Sequence, residues 1–385
     1  MKVSPLLAAT VVAGGTVAAP STDKTSYSRL MTDSMIRFGV KPSYNYGEAT
    51  LYTSFEDMYE YTKNQTYYDW FRSQMDTVVL KNGTIAGFNH THYSLDPYRF
   101  GNNLLWWYEE TGEKKFKIAA DAIKNTLDNH PRTPTGGFWH RDVVYPNQMW
   151  LDGIYMADNF YAKYVKLFQP NNATAWDDII LQYDKIDKVT RRPDNLLVHG
   201  FDESKKAVWA DPETGAAPLV WARAVGWYFM SLLEAIEVFP KDHPGHKRLI
   251  GYFTGLAEGL KGAQDEKSGG WYNIMDEKYV GVKGNYIEAS ASAMFTFGWL
   301  RGLNRGLLPA KDYSKVATKA YKGLIDNFIT RNASGVINFE GTVEVGSLGS
   351  NATFQYYASI KTRQNDLRGA GAFMLAALEY EKRSH

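Results

Sequence analysis

Cysteine is absent from all 385 residues, so no disulfide holds this chain and its stability rests on packing. Long apolar runs are absent too: past the first residues no segment reaches about 18 uninterrupted apolar positions, which excludes a membrane-spanning helix. Charge of one sign is missing as well. The 43 basic and 42 acidic residues are spread evenly and leave a net charge of +1, with no electrostatic footprint for nucleic acid or an anionic membrane. No Pro/Gly/Ser-rich linker and no shift of composition divides the chain, so it reads as one large domain. Gly136-Gly137 lacks the Lys-Ser/Thr pair or third glycine of a phosphate loop, and no Gly-x-Ser-x-Gly nucleophile elbow occurs. His90 and His92 have neither helical metal-ligand spacing nor a nearby carboxylate ligand pattern, so neither metal nor cofactor is expected.

What is present is a core-forming composition, 44% hydrophobic and 15% aromatic, with 26 Tyr, 19 Phe and 11 Trp. Flat rings suit sugar faces, although rings also simply fill cores. The first residues read as a secretory leader over 1–18: Lys2 is the positive end, Leu6–Val12 the apolar stretch, and Thr16-Val17-Ala18 a small-residue cleavage site. Residues 19–385 are then the mature domain. Six Asn-x-Ser/Thr sequons, at Asn64, Asn82, Asn89, Asn172, Asn332 and Asn351, fit a secreted, N-glycosylated protein of eukaryotic source.

After a helix at Tyr27–Phe38, one unit recurs: an aromatic-rich apolar helix, a turn, then a charged amphipathic helix. Leu51–Lys63 precedes Tyr67–Leu80, Asn103–Glu110 precedes Glu113–Asn129, and Gly153–Phe168 precedes Thr174–Val189. Gly226–Phe239 precedes His246–Gln264, and Ser292–Leu308 precedes Lys311–Ile329. Gly369–Lys382 lacks a second partner and Tyr27–Phe38 lacks a first, so the two can close a ring. The period is too long and irregular for common helical solenoids. Apolar helices inside, amphipathic ones outside, make an all-α (α/α)6 barrel. The connections at 81–100, 133–152 and 191–223 carry the unusual residues, on loops that should gather at one mouth.

Several lone polar groups stand in apolar runs. In Met149–Met156, Asp152 is the single charge. Either it is a carboxyl that burial keeps protonated, as a general acid requires, or it caps a helix beginning at Gly153. Asp96, in Tyr93-Ser94-Leu95-Asp96-Pro97-Tyr98, is a turn residue or a second acid at the mouth. Arg223 lies between Ala222 and Ala224, four residues before Trp227 and so on its helical face. It either pairs with Asp96 or Asp152 internally or faces a substrate carboxylate. His140 and His199 sit in aromatic-rich loops, as structural hydrogen-bonders or as part of a site. Glu288 reads as structural, a partner for Arg223 or a helix cap.

These segments resemble glycoside hydrolase family 105, the unsaturated rhamnogalacturonyl hydrolases. The resemblance lies in Gly136–His140, Tyr145–Met156, Trp221–Tyr228, Asn285–Met294 and Gly369–Phe373, and runs over most of the mature chain. It implies an (α/α)6 barrel and an enzyme removing the Δ4,5-unsaturated uronyl residue from the non-reducing end of lyase-generated pectin oligosaccharides, in a secreted fungal member. Asp152 matches the family's catalytic acid/base and Asp96 its second carboxylate. His199 matches a substrate-contacting histidine, Trp221, Arg223 and Trp227 the aromatic and cationic walls, and Met156 the floor. His140 and Arg141 are similar to a His-Lys pair, Arg141 to meet the uronate, and Tyr46 is the aromatic of Tyr44–Ala49.

The chain also departs from the pattern. Tyr44–Ala49 lacks the Trp expected around its aromatic and differs in its Gly placement, one extra residue separates His140 from Tyr145, and Phe354–Lys361 lacks the usual acids. The competing readings are a glucuronyl hydrolase for other acidic polysaccharides, a silent sugar-binding barrel, and an inverting glycosidase on saturated chains. Nothing in the pattern selects a monomer or a dimer.

Overall fold

The computed structural model describes residues 25–383; the expected leader, with its boundary at residue 18, lies outside the described residues. Twelve helices carry the fold among them. In order these are α1 (Tyr27–Phe38), α2 (Tyr46–Thr62), α3 (Gln65–Val78), α4 (Phe100–Thr111), α5 (Lys114–Asp128) and a composite α6. Helix α6 starts at Leu151–Gly153, passes through a π-helical stretch, Ile154–Asp158, and continues as Asn159–Phe168. Then follow α7 (Ala173–Thr190), α8 (Ala222–Val238), α9 (Pro244–Gly262), α10 (Ala289–Asn304), α11 (Ala310–Phe328) and α12 (Leu367–Arg383).

The two kinds of helix expected from the sequence are both there. In α5 the buried residues Phe116, Ala119, Ala120, Ile123 and Leu127 fall three and four apart, one stripe on an otherwise charged helix. In α8 and α10 nearly every side chain is buried, because these helices are covered on all sides. Small residues let them approach: a Cβ at Gly298 of α10 would overlap the Phe229 ring of α8. The even-numbered helices touch in the order α2, α4, α6, α8, α10, α12 and back to α2, a closed inner ring. The odd-numbered helices pack outside, and α1 packs on α12 as the unpaired ends required. Glu381 fastens that seam, accepting from the Ser28 backbone N–H at 3.0 Å and from the Ser26 and Ser28 hydroxyls at 2.9 and 2.7 Å. This is an (α/α)6 barrel.

Inner helices begin earlier than periodicity indicates: α8 starts at Ala222 rather than Gly226, and α2 at Tyr46 rather than Leu51. Their first turns hold polar and small residues that interrupt the apolar pattern. Connections from inner to outer helices are short, such as Lys63–Asn64 and Gly112–Glu113. After α3, those from outer to inner helices are long and carry the small sheets. Strand β1 (Gln148–Trp150) pairs antiparallel with β2 (Gly200–Asp202), β3 (Ile329–Arg331) with β4 (Ile337–Phe339), and β5 (Thr342–Val343) with β6 (Thr362–Arg363).

Toward the far end of the barrel lies a layer of charged residues that is partly open to solvent. Glu234, the thirteenth residue of α8, lies roughly 18 Å along that helix at 1.5 Å per residue. It accepts from both terminal nitrogens of Arg99 at 2.6 and 2.8 Å and from Asn159 Nδ2 at 2.8 Å. Glu56 accepts from Asn103 Nδ2 at 2.6 Å, and Arg301 binds Asp57 and Glu237. A cavity of about 300 Å³ lies among these groups. On the surface, every sequon asparagine accepts a backbone N–H through Oδ1, and Asn64 and Asn172 thereby cap α3 and α7.

Candidate active site

All six inner helices start on the face that carries the long connections. Their first N–H groups, which lack helical partners, therefore open on one mouth and favour negative charge there. Each start also delivers a polar side chain: Tyr46 on α2, Asp96 in the 3-10 turn Asp96–Arg99 before α4, and Asp152 on α6. Arg223 begins α8, Glu288 precedes α10 and Arg368 begins α12.

The β1–β2 pair sews two mouth loops together. Trp150 lies opposite Gly200, and the Leu151 N–H donates to the His199 carbonyl at 3.0 Å. A Cβ at Gly200 would overlap the Met149 carbonyl, so this approach requires glycine. The result sets Asp152 Oδ2 3.1 Å from His199 Nε2, while His199 Nδ1 lies 2.7 Å from the Tyr357 hydroxyl. Asp152 is 9% exposed and His199 fully buried.

Burial pushes the Asp152 carboxyl up, but His199 and then His140 pull it down harder, and it lies below its ordinary value. The direction is opposite to that expected of a carboxyl that burial alone keeps protonated: its hydrogen-bond partner His199 favours the carboxylate form. Asp152 is not a helix cap either, being the second residue of α6, whose N-cap is Trp150 with no side-chain cap bond. The π-helical stretch follows at once, a feature common at functional sites. It carries Tyr155 and Met156, both buried one turn past the acid.

Asp96 stands on the neighbouring start. Its Oδ2 accepts from Arg141 Nη2 at 2.9 Å, and Arg141 Nε donates to Ser94 Oγ at 3.1 Å. His140 Nε2 is 3.4 Å from Asp96 Oδ1, and the His140 ring stacks on Trp150 at 4.1 Å and 10°. Burial lowers the His140 pKa, with Asp96 opposing. Arg141 is thus tied to Asp96 in the free protein, and any substrate anion it meets has to share it.

Arg223 is 1% exposed, and no ion pair joins it to Asp96 or Asp152 among the described residues, so the internal salt bridge considered for it does not form. It donates to the Val343 carbonyl and lies 5.0 Å from the Trp221 ring. Burial, then the neighbouring Arg368, lower its pKa. Arg368 itself is clamped by Asp366 and donates to the Tyr46 hydroxyl at 3.0 Å. Trp227 stacks on Tyr155 at 4.8 Å and meets the edge of Tyr46 at 6.4 Å, making an aromatic floor. Glu288 caps α10 through Ser290 and Ala291 and accepts from the Val343 N–H at 2.9 Å, the structural role expected of it.

The site therefore unites Asp152, Asp96, His140, Arg141 and His199 on one side and Tyr46, Trp221, Arg223 and Trp227 on the other. Both ring nitrogens of His199 are already taken, so it acts first on Asp152. Sequence reasoning missed Arg368 and Tyr357. Arg368 stands at an inner-helix start like Arg223, but Asp366 two residues before it makes it read as an ordinary local ion pair. Tyr357, in the short helix Phe354–Ser359, had no legible signal.

Residues 21–384 match the family model described as Glycosyl Hydrolase Family 88. A solved glycoside hydrolase from family 105 of C. acetobutylicum is 38% identical, with a TM-score of 0.88 over 93% of this chain and 100% of that one. An unsaturated 3S-rhamnoglycuronyl hydrolase of an Alteromonas strain is 31% identical over 74% of this chain and 66% of that protein. An unsaturated rhamnogalacturonyl hydrolase of Bacillus subtilis, YesR, is 24% identical over 70% of this chain and 72% of that protein.

Proposed function

The chain belongs to glycosyl hydrolase family 88/105, and from that premise we propose that it removes a Δ4,5-unsaturated uronyl residue from the non-reducing end of lyase-generated pectin or rhamnogalacturonan oligosaccharides. The observation that carries this reading is Arg223: a buried guanidinium that no carboxylate among the described residues bonds, beside Arg368, at the mouth that holds Asp152. A buried cation of this kind is stabilised by an anion supplied from outside, and a uronate carboxylate fits. The aromatic floor of Trp227 and Tyr46 supports a sugar ring.

The chemistry follows from the substrate. An unsaturated uronide is a vinyl ether, so a proton added at C4 leaves oxocarbenium character at C5. Water adds at C5, and the resulting hemiketal opens with loss of the glycosidic bond. Asp152 gives the proton to C4 and as carboxylate takes one back from the attacking water. His199 favours the carboxylate form of Asp152 in the free protein, so the proton is taken up from solvent as substrate binds: the entering carboxylate places a second negative charge near Asp152 and raises its pKa. Asp96, held by Arg141 and His140, lies beside it and assists in orienting the ring or the water.

Unsaturated uronides absorb in the near ultraviolet. The wild-type protein is expected to remove that absorbance from pectin-lyase oligosaccharides, and Asp152→Asn to lose about a thousandfold or more of kcat. Turnover of Asp152→Asn at the wild-type rate would exclude Asp152 as the acid. Equal cleavage of saturated oligosaccharides would exclude hydration of the double bond, and paired galacturonyl and glucuronyl substrates fix the sugar.

A further inference from the structure

A neutral imidazole has one N–H and one lone pair, so whatever occupies one nitrogen of His199 decides what the other offers Asp152. The Tyr357 hydroxyl occupies Nδ1 at 2.7 Å. Burial pushes Tyr357 well above its ordinary pKa, and the nearby Tyr356 and Asp152 add to this, so the phenol keeps its proton. Its placement is firm. The ring stacks on Trp221 at 5.8 Å and 28°, and the Tyr357 carbonyl accepts from Asn273 Nδ2 at 3.2 Å. His199 is wedged between Trp221, 4.8 Å from its ring, and Trp150, at 5.4 Å, with no exposure to solvent.

We infer that Tyr357 is a positioning residue: its hydroxyl donates to His199 Nδ1, fixes His199 as the Nε2–H tautomer, and so keeps a hydrogen-bond donor aimed at Asp152 Oδ2 throughout the reaction. This rests on the reading of Asp152 as acid and base. With Oδ2 committed to His199, the proton that goes to C4 and returns from water is confined to Oδ1. The same Nε2–H favours the carboxylate, the form the second step needs. The other ionisable groups facing this pair are His140 on the Asp152 side, with Asp96 and Arg141 behind it, and Tyr356 beside Tyr357. None of them bonds to His199 Nδ1 among the described residues, so Tyr357 is the group that faces that nitrogen while Asp152 faces the other.

Loss of the hydroxyl releases the other tautomer. A proton on Nδ1 turns the Nε2 lone pair toward Asp152, which can then bond only as the protonated acid and holds its proton back.

Tyr357→Phe keeps the ring on Trp221 and the carbonyl on Asn273. Its kcat is expected to fall about tenfold or more, with KM within about twofold, and the Asp152 limb of the pH–rate profile to move to higher pH. A packing role alone would leave that limb in place. Nitrogen-15 spectra of labelled histidine in the free full-length protein should show His199 with Nδ1 bare and Nε2 protonated, and Tyr357→Phe should abolish that pattern. This arm needs no turnover, so it stands even where the chain proves inactive on unsaturated uronides. His199→Gln retains an amide donor but has no tautomer to lose, so adding Tyr357→Phe to it should cost nothing further. An additive loss, a protonated Nδ1 in wild type, or an unchanged His199 spectrum in Tyr357→Phe overturns the inference.

Discussion

The mouth and the deep layer of this barrel both hold charge, and they do so in opposite ways. In the deep layer cations and carboxylates satisfy one another: Arg99 with Glu234, and Arg301 with Asp57 and Glu237. At the mouth Asp152 and Asp96 have bonded partners, but among the described residues Arg223 is bonded to a backbone carbonyl and faces an aromatic ring, with the Glu288 and Asp366 carboxylates acting on it without an ion pair. Closed networks hold a fold in one arrangement, while an incomplete one is finished by a ligand. Connection length agrees with this division, since the short turns lie at the far end and the long loops surround the mouth.

The contrast can be broken by mutation. The largest effect is expected for Arg99→Ala, which strands Glu234 and should lower unfolding stability by about 3 kcal/mol in urea titrations while the folded fraction keeps its KM. Next comes Arg223→Gln. It should raise KM for an unsaturated uronide about 10- to 100-fold, roughly the 1.5–3 kcal/mol of a charged hydrogen bond, with the unfolding midpoint unchanged or higher. If Arg223→Gln destabilised the protein as much as Arg99→Ala, the distinction between the two layers would collapse.

The smallest effect is a pH dependence. Burial, opposed by Lys163, raises Glu56 to about 7. Because the folded value exceeds the unfolded 4.5, its contribution is complete below about pH 4.5 and is lost as pH rises through about 7. Asp152, lowered in the folded protein, has the opposite sign: its contribution is present above its unfolded value and lost on acidification. Glu56→Gln should therefore flatten stability between about pH 4.5 and 7 and leave the acid limb, measured by thermal unfolding, where it was.

The helical pairs were legible because burial on all sides and burial on one side leave different marks on sequence. The starts of the inner helices were not, since the residues that serve the mouth erase the apolar pattern there. Asp152, Asp96 and Arg223 stood out as single charges in apolar runs. The surroundings of Asp152 were only half legible for a definable reason: its sequence neighbours are apolar, but its hydrogen-bond partner, His199, is 47 residues away. Tyr357, one of 26 tyrosines and 158 residues from His199, carries no local signature at all.

Glu381 ties the last helix to Ser26 and Ser28 at the other end of the chain, with 353 and 355 residues between the bonded partners. The same C-terminal segment brings Tyr357 to His199 and Arg368 to Tyr46. During synthesis the inner helices through α10 can pack as they emerge, but the ring stays an open arc until α12 arrives. A nascent chain that has reached α10 therefore already carries Asp152, yet lacks Tyr357 and Arg368 around the mouth. The mouth is completed in the same step that seals the barrel.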